Sequence, residues 1–244
     1  MANKLLQERI CLVTGSSRGI GLGVARALAV HGGTVTLHGR DEGALRSALA
    51  GLEGPGRHHA VTADLSERGG IGEVAGEIAR LFGTLHVLVH SAGILGPKVP
   101  LAEYPAEAWD EVIHLNLTVP FLLTKALLPL LRKGDRPSVV FVSSGAGRRG
   151  RGGWGAYGVS KFGVEGLTQV WADELQREGI RVNAVNPGGT RTGMRALAYP
   201  EEDPETLPTP DDIARVFVWL ARADTRVTGQ SLDARDWLGR HSVA

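Results

Sequence analysis

Six short apolar runs, each followed by a longer stretch of helical character, set the tightest limit on what this chain can fold into. Ile10–Val13, Thr34–Leu37, His59–Thr62, His86–Val89, Ser138–Val142 and Arg181–Val185 are rich in Val and Leu and bounded by Gly, Pro or Asp, which is the pattern of strands. Between them Gly19–Val30, Glu42–Leu52, Glu67–Leu81, Ala106–Arg132 and Tyr157–Arg177 read as helices. Strands that are nearly apolar throughout have both faces covered, so the alternation predicts a doubly wound parallel sheet with helices on both sides. A helix around Asp211–Leu220 and a strand near Gln230–Asp233 would bring the sheet to about seven strands. Asp41 stands where it can cap the second helix, and Thr209-Pro210-Asp211-Asp212 has the acidic first turn of a helix start. No linker or repeat divides the 244 residues. Residues 1–244 are therefore expected to form one α/β domain, with a short lid around residues 193–209 that includes the Pro-rich stretch Tyr199–Pro210.

Composition mostly excludes. A formal net charge of +1 gives no reason to expect nucleic acid or an anionic membrane as partner. Cys11 is the only cysteine, which rules out a disulfide framework and a thiolate metal site and suits a buried strand residue. The eight histidines show no metal-ligand spacing. The N-terminus has no basic stretch followed by an apolar core, and no apolar run looks long enough to span a bilayer, so a cytoplasmic setting is expected.

Thr14-Gly15-Ser16-Ser17-Arg18-Gly19-Ile20-Gly21 follows the first strand and opens the first helix. Glycines at that junction let the backbone turn tightly and approach a ligand, while the helix N-terminus offers N–H groups to a pyrophosphate. The position makes this a dinucleotide signal. The same residues also match Gly-x-Ser-x-Gly, the nucleophile elbow of serine hydrolases. That reading needs a later acid and then a histidine, and after Lys161 the chain offers only His241, so it is disfavoured. At the second strand's end, Leu37-His38-Gly39-Arg40 holds no carboxylate before Asp41. An acidic residue there would bind a free ribose 2′-OH, whereas a guanidinium suits a 2′-phosphate. Arg40, with Arg18 in the glycine turn, thus favours NADP(H) over NAD(H); the plain alternative is a solvated surface arginine.

Tyr157 and Lys161 lie four apart, hence on one helix face, with Ser143-Ser144 a short way upstream. An ammonium beside a phenol favours phenolate, which would make Tyr157 a usable acid or base near neutral pH.

Together these residues resemble the short-chain dehydrogenase/reductase family over nearly the whole chain, and in particular its 3-oxoacyl carrier-protein reductases. The resemblance implies a Rossmann-type fold and a catalytic set of Asn116, Ser144, Tyr157 and Lys161. It implies cofactor contacts from Gly15, Ser17, Arg18, Gly19, Ile20 and Gly21 of the turn, and from Arg40. Asp64 in Ala63-Asp64-Leu65 matches the residue that contacts adenine, with Leu65 beside it, and Ser91-Ala92-Gly93 matches the family's Asn-Ala-Gly. Tyr157 and Lys161 themselves, then Pro187, Gly188, Thr190 and Thr192, would complete the nicotinamide side. Ser91 departs from the usual asparagine, a structural bridge between central strands, so local rearrangement is expected there. Trp154 either lines the substrate side or packs. By this resemblance Tyr157 protonates an alkoxide, Ser144 holds the carbonyl oxygen, Lys161 tunes the tyrosine and anchors the cofactor ribose, and Asn116 holds a relay water, with no metal required. The implied activity is NADP(H)-dependent reduction of a small carbonyl or acyl thioester substrate. Alternatives are a sugar, steroid or other secondary-alcohol dehydrogenase, or a non-catalytic NADP(H)-binding regulator, against which the complete catalytic set argues. The helices near Ala106 and Tyr157 match those that pair between subunits, so a homo-oligomer, dimer or tetramer, is expected, with the segment Asp233–Ala244 placed to reach a neighbour.

Overall fold

The computed structural model describes residues 5–239. Seven strands form one parallel sheet: β1 (Ile10–Thr14), β2 (Thr34–Gly39), β3 (His59–Thr62), β4 (Val87–His90), β5 (Ser138–Val142), β6 (Arg181–Asn186) and β7 (Ser231–Asp233). Their spatial order is β3-β2-β1-β4-β5-β6-β7, the doubly wound arrangement that the alternating pattern predicts. The order reverses between β1 and β4, so a crevice opens there beyond the carboxyl ends of the strands, where such folds bind ligands. Register aligns Val13 with Leu37 on one side and with Val89 on the other.

Side chains on these strands alternate between two apolar layers. Cys11, Val13, Val35, Leu37, Val87 and Val89 face α1 (Gly19–Val30), α2 (Glu42–Ala50) and α8 (Arg215–Ala221), where Leu28 and Phe217 complete the packing. Cys11 is fully buried, as its place in a strand implies, and burial pushes its thiol up to about 12. Leu12, Leu88, Val139 and Phe141 face the other layer, formed by α3 (Gly70–Phe82), α5 (Val119–Leu131) and α6 (Gly155–Leu175). Each fully buried Leu or Phe contributes roughly 1.5–3 kcal/mol from removal of apolar surface from water.

Element boundaries move where side chains compete for the backbone. Asp41 caps α2 as expected, accepting from Ala44 N at 2.9 Å. The third helix starts at Gly70 rather than Glu67, because Asp64 accepts from Ser66 N at 2.9 Å and holds the intervening residues in a turn. Thr209 and Asp212 hydrogen-bond reciprocally, backbone N–H of each to side-chain oxygen of the other, so the predicted start at Thr209-Pro210-Asp211-Asp212 is a capping box. It leads through a short 3₁₀ turn, Asp212–Ala214, into α8.

The long helix predicted over 106–132 is α4 (Ala106–Ile113) joined to α5 through a single π turn at His114–Thr118. One expectation is corrected here. Because the turn does not interrupt the helix, Ala106–Leu131 is long and apolar enough to cross a membrane by length and composition. Its Leu123, Leu127 and Leu131 are fully buried among residues of α3 and the sheet, the packing of a core helix. The lid contains a helix that the sequence reads as loop, α7 (Gly193–Ala198), capped by Thr192, whose hydroxyl accepts from Arg195 N at 3.2 Å.

Candidate active site

α6 carries Tyr157 and Lys161 on one face, aimed at the carboxyl ends of β4 and β5. Both are buried, Tyr157 at 9% exposure and Lys161 at 7%. The Lys161 ammonium sits 5.6 Å from the centre of the Tyr157 ring and donates to Val142 O at 2.8 Å. Burial pushes Lys161 down to about 8, and Glu165 one turn further along α6 limits the drop. Burial also raises the Tyr157 phenol above its ordinary value, and a hydrogen bond with Ser144 only partly offsets this. The lowered tyrosine expected from the i, i+4 spacing is therefore not realised in the protein alone, because desolvation of a buried phenolate outweighs a lysine whose ammonium is held on a strand carbonyl.

The structure separates the two serines after β5. Ser144 lines the cleft and accepts from Ala146 N at 3.2 Å. Ser143 is buried and donates to Glu165, which also accepts from Ser231 at 2.8 Å. Arg148 bonds Ser231 at 2.7 Å and Asp233 at 2.6 Å, so Ser143 belongs to a polar network behind the cleft.

Asn116 lies at the middle of the π turn, buried at 2%. Its carboxamide pairs with the backbone of Ile94, accepting from the N–H and donating to the carbonyl, each at 2.9 Å. The remaining amide hydrogen goes to Ser160 Oγ at 3.2 Å, and Ser160 in turn donates to Tyr157 O at 2.7 Å. Both side-chain donors of Asn116 are thereby used. Its carboxamide is a strut joining the π turn, the segment after β4 and α6. Single π turns recur at functional sites, and the apolar pattern of 106–132 gives no sign of this one.

The glycine turn meets the requirements of a dinucleotide phosphate. Gly15 and Gly19 have φ of +62° and +57°, and a Cβ on Gly15 would lie 2.6 Å from Ala92 Cα. No side chain caps α1, whose N-cap is Arg18, so its first-turn N–H groups are available to an anion. Among the described residues a Cβ on Gly19 would meet only Thr192, at 3.6 Å, which places the residue that leads into the lid across the turn. Two residues that the motif reading passes over fix this loop. Ser16 donates to Val13 O at 2.7 Å and accepts from His38 N at 2.9 Å. His38 accepts from Gly15 N through Nδ1 at 3.3 Å and contacts Ala63 O through Nε2 at 3.2 Å; burial drives it down to about 4, so it is a neutral bridge. Short hydroxyls flanking Gly and a histidine inside a strand were the available signal.

Around the second strand, Arg40 and Asp64 come together as an exposed ion pair at 3.4 Å. Arg18 is exposed, and Ser17 leans on the end of β2, its Oγ 3.4 Å from the Cβ position of Gly39. Leu65 turns into the core at 2% exposure, leaving only its backbone for a ligand, and Ile20 packs partly buried against the α1 layer. Gly21 packs on Gly15 O, 2.3 Å from where its Cβ would be. At the expected departure, the bridge between central strands is made by Thr14, whose hydroxyl accepts from Ser91 N at 3.1 Å and Ala92 N at 3.2 Å. His90 adds a bond from β4 to Thr124 of α5 at 2.8 Å. Gly93 abuts Asn116, its Cβ position 3.0 Å from Oδ1. After β6, Pro187 and Thr190 are buried, Thr190 donating to Pro187 O at 3.3 Å, and Gly188 is exposed with φ +70°.

Ser144, Trp154, Asn186, Gly188, Tyr199 and Leu207 line a cavity of ≈ 510 Å³ in the cleft. Trp154 lines the cavity and packs at 5.6 Å from the Tyr157 ring. Lys98 lies over Trp154 and Tyr199 and donates to Ala198 O at 2.6 Å, tying the lid to the segment after β4. For the elbow reading, Ser17 has no histidine or carboxylate partner among the described residues, and His241 lies outside them, as does 240–244 of the C-terminal segment. No group of His, Cys, Asp or Glu able to hold a metal ion occurs among the described residues.

A crevice at the strand-order reversal, a glycine turn on an uncapped helix and a buried Tyr–Lys pair with Ser144 at its edge define a nucleotide-dependent oxidoreductase. A family model, short chain dehydrogenase, matches residues 9–203. The chain is 46% identical over 238 residues to the uncharacterized oxidoreductase YciK of Escherichia coli K12, covering 95% of this chain and 93% of that protein. It is 36% identical to the 3-oxoacyl-(acyl-carrier-protein) reductase FabG of Thermotoga maritima, over 92% and 95% of the two. Among solved structures, a short chain dehydrogenase of Shigella flexneri complexed with NADP superposes with a TM-score of 0.92 at 44% identity, covering 96% of this chain and 99% of that one. This chain belongs to the short-chain dehydrogenase family and is an oxidoreductase acting on CH–OH groups.

Proposed function

We propose that this protein is an NADP(H)-dependent ketoreductase that uses Tyr157 as proton donor. The observation that carries the reading is that Tyr157 and Lys161 are buried side by side, with Ser144 hydrogen-bonded to the phenol at the cleft wall. The first-turn N–H groups of α1 and the turn from Gly15 to Gly21 would hold the pyrophosphate, with Thr192 opposite. Ala92, Gly93, Pro187, Gly188 and Thr190 would flank the nicotinamide. Arg18 and Arg40 support the 2′-phosphate: an exposed pair such as Arg40–Asp64 is worth about 0–1 kcal/mol, so Arg40 exchanges it readily for a phosphate. Asp64, freed, would serve the adenine. Structures of relatives from Shigella flexneri and Escherichia coli CFT073, each 44% identical, hold NADP and NADPH.

The chemistry supplied by the bound cofactor is a hydride for the carbonyl carbon. Ser144 donates to the carbonyl oxygen and fixes it beside the phenol, and Tyr157 gives its proton to that oxygen as negative charge develops. Lys161, released from Val142 O, would bond the cofactor ribose and place a positive charge next to the phenolate that forms. Asn116 and Ser160 act on α6 from behind, holding Tyr157 and Lys161 at their distance from the crevice.

A 3-oxoacyl thioester substrate is supported by 36% identity to the Thermotoga reductase and 35% identity to human (3R)-3-hydroxyacyl-CoA dehydrogenase. A secondary-alcohol dehydrogenase is the second reading, supported by 34% identity to cis-4-hydroxycyclohexanecarboxylate dehydrogenase of Sinomonas cyclohexanicum. A homo-oligomer is supported by an apolar stripe on the outer faces of α5 and α6, where Phe121, Val159, Phe162 and Val170 are 38–55% exposed; sedimentation tests it. For the main reading, Tyr157→Phe should lower turnover with any accepted ketone by orders of magnitude while NADPH still binds. Turnover within a factor of a few of wild type would overturn the assignment. Arg40→Asp should lower the preference for NADPH over NADH, and an unchanged preference moves that role to Arg18.

A further inference from the structure

The substrate-side cavity has an imbalance of charge that the ketoreductase reading does not use. Among the described residues three arginines line it, Arg151, Arg195 and Arg235, against a single carboxylate, Glu202. Arg195 is satisfied by Glu202, with Nη2 to Oε1 at 2.7 Å, and its guanidinium lies 3.7 Å from the centre of the Tyr199 ring. Among the described residues Arg235 has no carboxylate partner of its own. It donates to Gly189 O at 2.6 Å, a neutral acceptor, and only adds to the field on Glu202. Arg151 is exposed on the opposite rim, with no side-chain partner among the described residues.

Two of these guanidiniums converge on one spot. A Cβ at Gly189 would lie 3.2 Å from Arg195 Nη2 and 3.2 Å from Arg235 Nη2, and a Cβ at Gly188 would lie 2.8 Å from Arg235 Nε. The glycine pair thus lets both forks lie directly on the backbone of the loop after β6, in the same cavity as Ser144. Glu202 offsets one of these like charges, which leaves a positive charge over in the cavity. Guanidinium N–H groups match the geometry of carboxylate and phosphate oxygens. Lys98, held over Trp154 and Tyr199, adds a further positive charge beside the lid.

We propose that the substrate of this site carries its own negative charge, a carboxylate or phosphate that Arg235 and Arg195 bind while the reacting carbonyl lies against Ser144 and Tyr157. The proposal rests on the ketoreductase reading and narrows its substrate class. The anion is assigned to the substrate rather than to the cofactor because the cavity that the arginines line includes Ser144 and Trp154 and no residue of the glycine turn among the described residues.

The test uses pairs in which one member carries negative charge and the other is neutral. One series is methyl-ketone carboxylates of increasing chain length, starting from 4-oxopentanoate, each against its methyl ester. The other is acetoacetyl-CoA against the neutral acetoacetyl N-acetylcysteamine thioester, which separates a carboxylate from a carrier phosphate. In at least one pair the charged member should show kcat/KM about 10- to 100-fold higher, the range of a charge-assisted bond, and the advantage should shrink with added salt. Arg235→Met should collapse that ratio while Arg235→Lys retains part of it, with NADPH affinity read separately by fluorescence. A ratio near one in every pair overturns the proposal, as does a ratio that Arg235→Met leaves intact or a loss confined to cofactor affinity. Calorimetric titration of the keto acids and their esters in the presence of NADP keeps the two readings apart. Charge-selective binding without reduction of any carbonyl sinks the ketoreductase reading alone; equal reduction of neutral and charged partners sinks this one alone.

Discussion

Lys161 should cost the cofactor-free protein stability, and by an amount that depends on pH. Its ammonium is buried at 7% exposure with Val142 O as its hydrogen-bond acceptor, and its proton affinity falls from 10.5 to about 8. At about 1.4 kcal/mol for each tenfold change in proton affinity, that drop corresponds to roughly 3 kcal/mol. The sign follows from proton counting. Between pH 8 and 10.5 the unfolded lysine holds a proton that the folded one has lost, so the stability of the wild type rises with pH across that window. Below pH 8 both states are protonated and the full penalty is present. Lys161→Met removes the penalty and loses the bond to Val142 O, worth about 1 kcal/mol net. The variant should therefore be on the order of 2 kcal/mol more stable than wild type at pH 7, and the advantage should disappear as pH approaches 10.5. Urea denaturation of both proteins without cofactor, at intervals from pH 7 to 10, gives the difference directly, and other titrating groups cancel in it. A difference that stays constant across this range, or a wild type that is the more stable at pH 7, refutes the reasoning. A functional group held at such a cost is a place where local stability is given up for chemistry.

Three further outcomes are expected. Gly21→Ala places a methyl 2.3 Å from Gly15 O and must displace the glycine turn, so NADPH affinity by fluorescence titration should fall at least about tenfold, the scale of one lost charge-assisted bond; wild-type affinity would show that the turn yields without cost. Asp41→Ala removes the bond to Ala44 N and should lower unfolding free energy in urea by about 1 kcal/mol, with catalysis unaffected. His38, pushed down to about 4 by burial, takes up a proton in the unfolded state over pH 4 to 6.5 but not in the folded one. Wild-type stability should thus fall on acidification through that window by up to about 3 kcal/mol, and His38→Gln should show a shallower decline. Parallel decline of the two proteins would remove His38 as the cause.

The sheet was legible because a buried parallel strand must be apolar on both faces: Val87–His90 and Ser138–Val142 announce themselves by composition alone. Helix starts were legible only where a side chain competes for the backbone in a known way, as Asp41 does. At Asp64 the same competition delayed α3 by three residues, since an aspartate two residues before a serine can form a turn as readily as a cap. Within the site, spacing placed Tyr157 and Lys161 on one face of α6 but not their protonation, which depends on burial that a linear pattern cannot express. The family resemblance picked Ser144 over Ser143; the physical difference follows from strand alternation at the end of β5, one hydroxyl turning behind the cleft to Glu165 and the next into it. The arginine pair over Gly188 and Gly189 joins positions 195 and 235, forty residues apart, and only the return of β7 beside β6 brings them together.

The π turn at His114–Thr118 has a consequence for how this helix can vary. Such a turn holds one more residue than the helix around it, so α4 and α5 are out of phase with each other by about 100° of rotation, the angle of one residue. That offset lets α4 present Val112 to the small cluster around Tyr157, while α5 presents Leu123 and Leu127 to the core beneath the sheet. Deleting one residue between 114 and 118 would restore a regular helix and bring the two faces into phase, which only one of the two packings can satisfy. Substitutions along this helix are local matters; insertions and deletions are not, because the frame itself carries Asn116 to Ile94 and Ser160.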